Sequence, residues 1–104
     1  MKQGQQGDVT YERVREIPNG AQKKKRVHAK GHILAEGEAT NHFHAIADEC
    51  ELFEHEGTLY LKNEKEVTLN HEEHGAQVIE PGIWKIGRVS EYDYFSEAER
   101  NVAD

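Results

Sequence analysis

Hydrophobic and polar residues alternate along most of this chain with a period of two, which is typical of β-strands whose two faces meet different surroundings. The first clear stretch covers 9–17, where β-branched and aromatic residues are frequent. Further stretches with strand character lie at 27–29, 31–35, 40–47, 51–54, 58–62, 67–71, 77–80 and 82–89. Because turn-forming residues separate these short stretches and no helical period intervenes, the pattern predicts an all-β antiparallel sandwich or barrel, and of the two we expect a small barrel.

The two ends of the chain depart from this alternation. Residues 1–7 are polar and offer nothing to bury, so we expect a flexible N-terminal segment ahead of a single domain over 8–104. Near the other end, Ser96-Glu97-Ala98-Glu99 has the pattern of a capping box, with Ser96 as the N-cap. We therefore expect a short C-terminal helix over about 97–102.

Composition and charge narrow the classes of partner. The 104 residues include 20 acidic and 13 basic side chains, for a net charge of −7. That balance argues against nucleic acid as a partner, because phosphate binding needs a cationic surface. The basic run Lys23-Lys24-Lys25-Arg26 is interpreted as a solvated loop, with an anion contact as the alternative.

The single cysteine and the absence of long apolar runs bear on location. Cys50 cannot form an intrachain disulfide, which fits a reducing cytosol. No run approaches the roughly 18 apolar residues of a membrane span. We expect a soluble cytoplasmic protein with no membrane partner, and the sequence leaves room for a small-molecule ligand and for a homo-oligomer.

Four of the seven histidines fall into two clusters that suit a metal site. His42 and His44 lie two apart on a predicted strand, so both side chains leave the same face, together with Ile46. The opposite face takes Phe43, Ala45 and Ala47. An imidazole pair of this kind, completed by ligands from another strand, suits Zn, Fe, Ni or Mn.

The second cluster, His71-Glu72-Glu73-His74, can complete such a site. His71 follows Val67 and Leu69 at period two and inherits their inward direction. His74 joins only if 72–75 turns, which Gly75 favours. We therefore predict His42, His44, His71 and His74 as ligands of a divalent metal ion. The alternative is a solvent-facing pair of histidines and a polar turn.

Other candidate ligands fit the pattern less well. Glu49 could add a carboxylate, but it lies at odd spacing from His44, so that a bend must intervene. Cys50 is interpreted as a small buried apolar residue rather than a ligand. His28, His32 and His55 have no partner in the pattern and are expected to face water or turns.

Residues 31–90 resemble the cupin family. Gly37, His42, His44, Glu49 and Gly57 match its first motif, in which a glycine is followed by His-x-His, a glutamate and a later glycine. Gly75, Pro81 and Gly82 match part of the second motif, whose final histidine is absent here. The resemblance implies a small jelly-roll-like barrel with a metal inside.

The chain is also similar, over nearly its whole length, to a set of short uncharacterised bacterial and phage proteins. The shared segments are QGDV, GE-x-T-x-H-x-H and HEEHG, here at 6–9, 37–44 and 71–75. This likeness implies no activity.

Three hypotheses for function follow. The first is a metal-binding cupin-like protein whose reaction, if it is an enzyme, is not named by the sequence. The second is a non-catalytic interaction or accessory protein of a bacterial or phage system. The third is a pH sensor, since histidines titrate between about pH 5 and 8. No nucleophile motif, phosphate loop or dinucleotide fingerprint is present.

Overall fold

The computed structural model describes residues 2–26, 28–36 and 42–89, and its regular structure consists of ten β-strands. The strands are β1 Gln3–Gln6, β2 Val9–Val14, β3 Gln22–Lys23, β4 His32–Glu36, β5 Phe43–Ile46, β6 Glu51–His55, β7 Thr58–Asn63, β8 Val67–Asn70, β9 Gln77–Ile79 and β10 Gly82–Arg88. The all-β class expected from the alternation is confirmed. The helix expected over 97–102 lies outside the described residues.

The strands form two antiparallel sheets. The larger sheet has the order β1-β2-β10-β7-β6-β3, and the smaller has the order β4-β5-β8-β9. β10, the longest strand, lies between β2 and β7 and pairs with both along most of its length. The described strands do not close into a barrel, so the small barrel predicted from the sequence is wrong in this respect, whereas the antiparallel pairing is confirmed.

β6 and β7 form a tight hairpin around Gly57. β6 and β7 pair from Glu51 opposite Lys62 to His55 opposite Thr58. The two residues between them, Glu56 and Gly57, both have positive φ, at 50° and 81°. A type I′ turn requires positive φ at both central positions, because its twist matches that of the flanking strands.

The inward faces of both sheets supply one buried cluster. Its members are Val9, Tyr11, Leu52, Leu61, Trp84 and Ile86 from the larger sheet, and Leu34, Ile46, Val67, Leu69 and Ile79 from the smaller. Trp84 is fully buried and donates from Nε1 to the carbonyl oxygen of Glu80 at 3.0 Å. A buried indole needs such an acceptor, because an unpaired N–H away from water is costly.

Side chains, rather than backbone pairing, join the two sheets along the side where β1 faces the smaller sheet. Gln6 donates from Nε2 to the carbonyl oxygens of Leu69 at 2.8 Å and Gly75 at 2.9 Å. Gln77 of β9 donates to the carbonyl oxygen of Gln5 and accepts from the Tyr11 hydroxyl. On this side the two sheets are joined by polar side chains and not by a continuous backbone ladder. An alternation of apolar residues contains no sign of such a junction, so the pattern did not show that the barrel stays open.

β1 also changes the expectation for the N-terminus. Residues 3–6 were expected to be flexible because they contain nothing apolar to bury. In the structure they pair with β2, from Gln3 opposite Glu12 to Gln6 opposite Val9. Their backbone hydrogen bonds and the buried amide of Gln6 hold this segment in place, and neither contribution depends on apolar side chains.

Candidate metal centre

The pairing of β5 with β8 brings the two predicted histidine clusters together. Ala45 lies opposite Asn70, and Ile46 lies opposite Leu69. Continuing this antiparallel register by one residue places His44 opposite His71, and the two ring centroids are 4.3 Å apart. The convergence of these distant β segments, which the metal hypothesis requires, is present in the fold.

All four predicted histidines belong to this group, which we call the histidine cluster (His42, His44, His71 and His74). The ring centroid of His71 lies 5.7 Å from that of His42 and 4.6 Å from that of His74. The rings of His44 and His74 are stacked at 6.0 Å. The cluster therefore runs from a buried end at His44 to a half-exposed end at His42.

At the half-exposed end, three groups could hold one metal ion. One ligand atom each from His42, His71 and Glu72 lie within 4.8 Å of one another. His42 and His71 are half-buried, whereas Glu72 is exposed. The carboxylate of Glu72 was not among the predicted ligands, although its neighbour His71 was.

Glu72 is held by two partners. Its Oε1 accepts a hydrogen bond from the backbone N–H of Phe43 at 2.8 Å, and its Oε2 forms an ion pair with the Lys30 ammonium. The hydrogen bond from Lys30 is the main cause that lowers the pKa of Glu72 to about 2, and the Phe43 N–H adds to it. Glu72 is therefore a carboxylate at neutral pH, as metal ligation requires.

His71 caps the turn that follows it. Its Nδ1 accepts from the backbone N–H groups of Glu73 at 3.1 Å and His74 at 3.3 Å. In the neutral ring the proton then lies on Nε2. A metal that binds Nδ1 must displace these two hydrogen bonds. A metal that binds Nε2 must first move the ring proton to Nδ1, where it meets the same two N–H donors. By either route, metal binding is coupled to the 72–74 turn.

His44, at the buried end, is 1% exposed and has a protein partner at each ring nitrogen. Its Nδ1 lies 2.9 Å from Oε1 of Gln6. Because the Gln6 Nε2 already donates to two carbonyl oxygens, Oε1 is the acceptor and His44 Nδ1 carries the proton. Its Nε2 lies 3.3 Å from Oδ1 of Asp8. In the neutral ring Nε2 carries no proton, so these two atoms form a hydrogen bond only when the imidazole is protonated.

The surroundings of His44 oppose its protonation. Burial is the largest cause that lowers its pKa, followed by the charge of His71, while Asp8 acts in the opposite direction. The other oxygen of Asp8, Oδ2, accepts from Arg88 Nε at 2.6 Å. His44 is thus held between β1, the following turn and β5. Its fixed ring packs beside the rings of His71 and His74.

Gly7 leaves the space that His74 occupies. It has a φ of +57°, and a Cβ built there would lie 2.6 Å from Nε2 of His74 and 3.2 Å from Cε1 of His44. Any larger residue would meet the His74 ring and adopt a backbone conformation that L-residues rarely take. The N-terminal turn therefore shapes one side of the histidine cluster.

The remaining candidates lie elsewhere. Among the residues that the structure describes, neither Glu49 nor Cys50 belongs to the three-ligand group. Burial raises the pKa of the Cys50 thiol to about 11, which suits the apolar role expected for it. The expectation for His32 is wrong: it is 5% exposed, because β4 places it opposite Ile46.

Comparison with known proteins gives one finding. A family model described as "Domain of unknown function (DUF8820)" matches residues 5–89. No match was found among curated proteins or among solved structures. Separately, no helix in the described part of the chain has the length and apolar character needed to cross a membrane.

Proposed function

Since the chain belongs to the DUF8820 family, described only as a domain of unknown function, we propose from its own residues that it binds a divalent metal ion at His42, His71 and Glu72. The observation that carries the proposal is the approach of three ligand atoms to within 4.8 Å of one another. Two imidazoles and a carboxylate are a donor set used for zinc in hydrolytic enzymes and for iron in non-haem oxygenases.

The other two histidines have supporting roles in this proposal. His74 lies beside His71 on the turn and can add a fourth nitrogen when that turn rearranges. His44 holds the cluster in place, because its two ring nitrogens face Gln6 and Asp8. The similarity of the His-x-His segment to the first cupin motif supports a metal site within a β-sheet architecture.

A metal with three protein ligands keeps at least one coordination position for water or a small molecule. The candidate ions are Zn, Fe, Ni and Mn, and which of them occupies the site depends on coordination geometry and on metal availability. When bound, the ion would supply Lewis acidity at this position. Glu72 would contribute the negative charge, and the half-buried imidazoles would fix the geometry.

The test is metal content and affinity of the full-length protein prepared without a histidine tag. We expect about one equivalent of metal, an increase in Tm on addition of the ion, and a loss of affinity of about tenfold or more in His42→Ala and His71→Ala. His55→Ala is the matched control, because His55 and His42 have similar side-chain exposures, at 27% and 23%.

Two outcomes would contradict the proposal. One is a protein that holds no metal and gains no thermal stability from Zn, Ni, Fe or Mn. The other is His55→Ala weakening metal binding as much as His42→Ala does. The backbone amide signals of Glu73 and His74 give an independent check, since metal at His71 must change the hydrogen bonds of that turn. A metal-free result would favour the non-catalytic accessory role.

A further inference from the structure

A cleft of about 340 Å³ opens on the outer face of the smaller sheet, next to the candidate metal centre. Its floor contains Phe43, Ala45 and Ala47, which alternate with core-facing residues along β5 and just beyond it. Ala45 is buried, with 3% exposure, and Ala47 is exposed, and their small side chains leave a hollow that larger side chains would fill. The volume lies at the lower end of the range, about 300–1,000 Å³, that is typical of small-molecule sites.

The rim of the cleft carries one ion pair. Lys30 stands over the Phe43 ring, with Nζ 5.4 Å from the ring centroid, and pairs with the Glu72 carboxylate. The backbone of Lys30 is fixed by a hydrogen bond from its N–H to Nδ1 of His28 at 3.0 Å. In this arrangement Glu72 already neutralises the Lys30 ammonium, so a further anion would bind only weakly at the rim.

The cleft and the candidate metal centre share two residues, His71 and Glu72. A divalent cation bound to the Glu72 carboxylate competes with Lys30, which pairs with the same carboxylate through Oε2. The ammonium then stays at the rim, beside an apolar floor, without its counter-charge. An anionic group is the complement that this rim would accept.

We propose that the cleft binds a small organic carboxylate with an apolar body, and that it does so when a divalent metal ion occupies the neighbouring centre. The carboxylate replaces Glu72 on the Lys30 ammonium, and the apolar body covers Phe43, Ala45 and Ala47. This inference rests on the proposed metal-binding function. By linkage, the carboxylate strengthens metal binding by the same factor as the metal strengthens carboxylate binding.

The test uses benzoate and benzamide, which have the same ring and nearly the same size but differ in charge. Each is titrated into the full-length protein with saturating zinc or with a chelator, and amide chemical shifts are followed by NMR. We expect benzoate to shift the amides of Phe43, Ala45 and Ala47 and to bind about tenfold more tightly with zinc. Benzamide should show no dependence on zinc.

Three variants make the test specific. Lys30→Met should abolish the preference for benzoate over benzamide while zinc still binds, and Lys85→Met on the exposed face of β10 is the matched control. Ala47→Leu should fill the cleft and weaken both probes without affecting zinc. Ala47 is an exposed position, so this variant keeps the fold intact.

The outcomes separate the two proposals. Zinc binding that depends on His42 and His71, with no benzoate shifts at the cleft floor, overturns the cleft and leaves the metal centre standing. Benzoate binding of equal strength in Lys30→Met, or of equal strength with and without zinc, overturns the proposed exchange at Lys30. Absence of zinc binding is the failure of the metal centre, and the coupling then fails with it.

Discussion

The two ends of the histidine cluster differ in how fully their polar atoms are used within the protein. At the buried end, His44 donates from Nδ1 to Gln6, Asp8 lies 3.3 Å from the other ring nitrogen, and Gln6 uses both its oxygen and its nitrogen. At the half-exposed end, His42 faces Glu73 at a loose 3.7 Å, and Glu72 shares an ion pair with a flexible lysine. The difference indicates that the buried end maintains structure, whereas the other end can exchange partners.

The largest expected effect is on the free energy of unfolding, and it comes from a substitution at the buried end of the cluster. His44→Ala removes a fully buried ring and leaves Gln6 Oε1 without its donor, so we expect the free energy of unfolding to fall by about 3 kcal/mol. His42→Ala should cost less, about 1 kcal/mol or below, because its ring is half-buried and faces Glu73 at only 3.7 Å. Urea unfolding of both variants makes the measurement. Equal losses would show that the two ends do not differ as described.

A smaller effect is expected where the N-terminal turn meets the cluster. Gly7→Ala forces an L-residue to a φ of +57° and places a Cβ 2.6 Å from His74 Nε2. We expect a loss of about 1–2 kcal/mol in the free energy of unfolding, with displaced ring signals of His74. Gly75→Ala is the control, since a Cβ there meets nothing within 4 Å. A loss as large in the control would contradict the argument.

The smallest effect per residue is expected from pH. Burial is the main cause that lowers the pKa of both His32 and His44 below the ordinary value of 6.5. The unfolded chain therefore binds protons at these residues first as the pH falls. Stability should be complete above pH 6.5 and decline below it, by at most about 1.4 kcal/mol per pH unit for each histidine.

Unfolding by urea between pH 8 and pH 5 measures this slope and tests how much of it a buried ring contributes. His32→Gln should reduce the slope, because one buried ring no longer titrates. A slope of the same size in the His32 variant would show that this buried histidine does not contribute.

The alternation of apolar side chains was sufficient to predict β2 and the strands from β4 to β10, because each has a face in the core, whereas β1 and β3 have no apolar side chains and were missed. The same period placed His44 and His71 on inward faces, and pairing between β5 and β8 then brought them together. That the sheets do not close into the predicted barrel could not be read from this pattern, because Gln6, Tyr11 and Gln77 join the sheets on one side through polar atoms. Hydrophobic patterning carries no information about such bonds.

The supporting residues of the site were missed for a related reason. Gln6 and Asp8 lie in or beside a polar segment that was expected to be flexible, so their contacts with His44 gave no signal. Lys30 and Glu72 are one pair among 20 acidic and 13 basic side chains, and their pairing depends on two turns 42 residues apart. Without the fold, no spacing rule selects that pair.

The hydrogen bonds made by the side-chain amides of Gln6 and Gln77 have a consequence for solvent access. They hold β1 against the smaller sheet, yet β1 keeps its whole backbone ladder with β2 when those bonds break. A transient separation of β1 from the smaller sheet would therefore expose His44 and Asp8 to solvent while every strand stays paired within its own sheet. Deuterium uptake at the His44 ring should then run ahead of uptake by the core amides of β7 and β10.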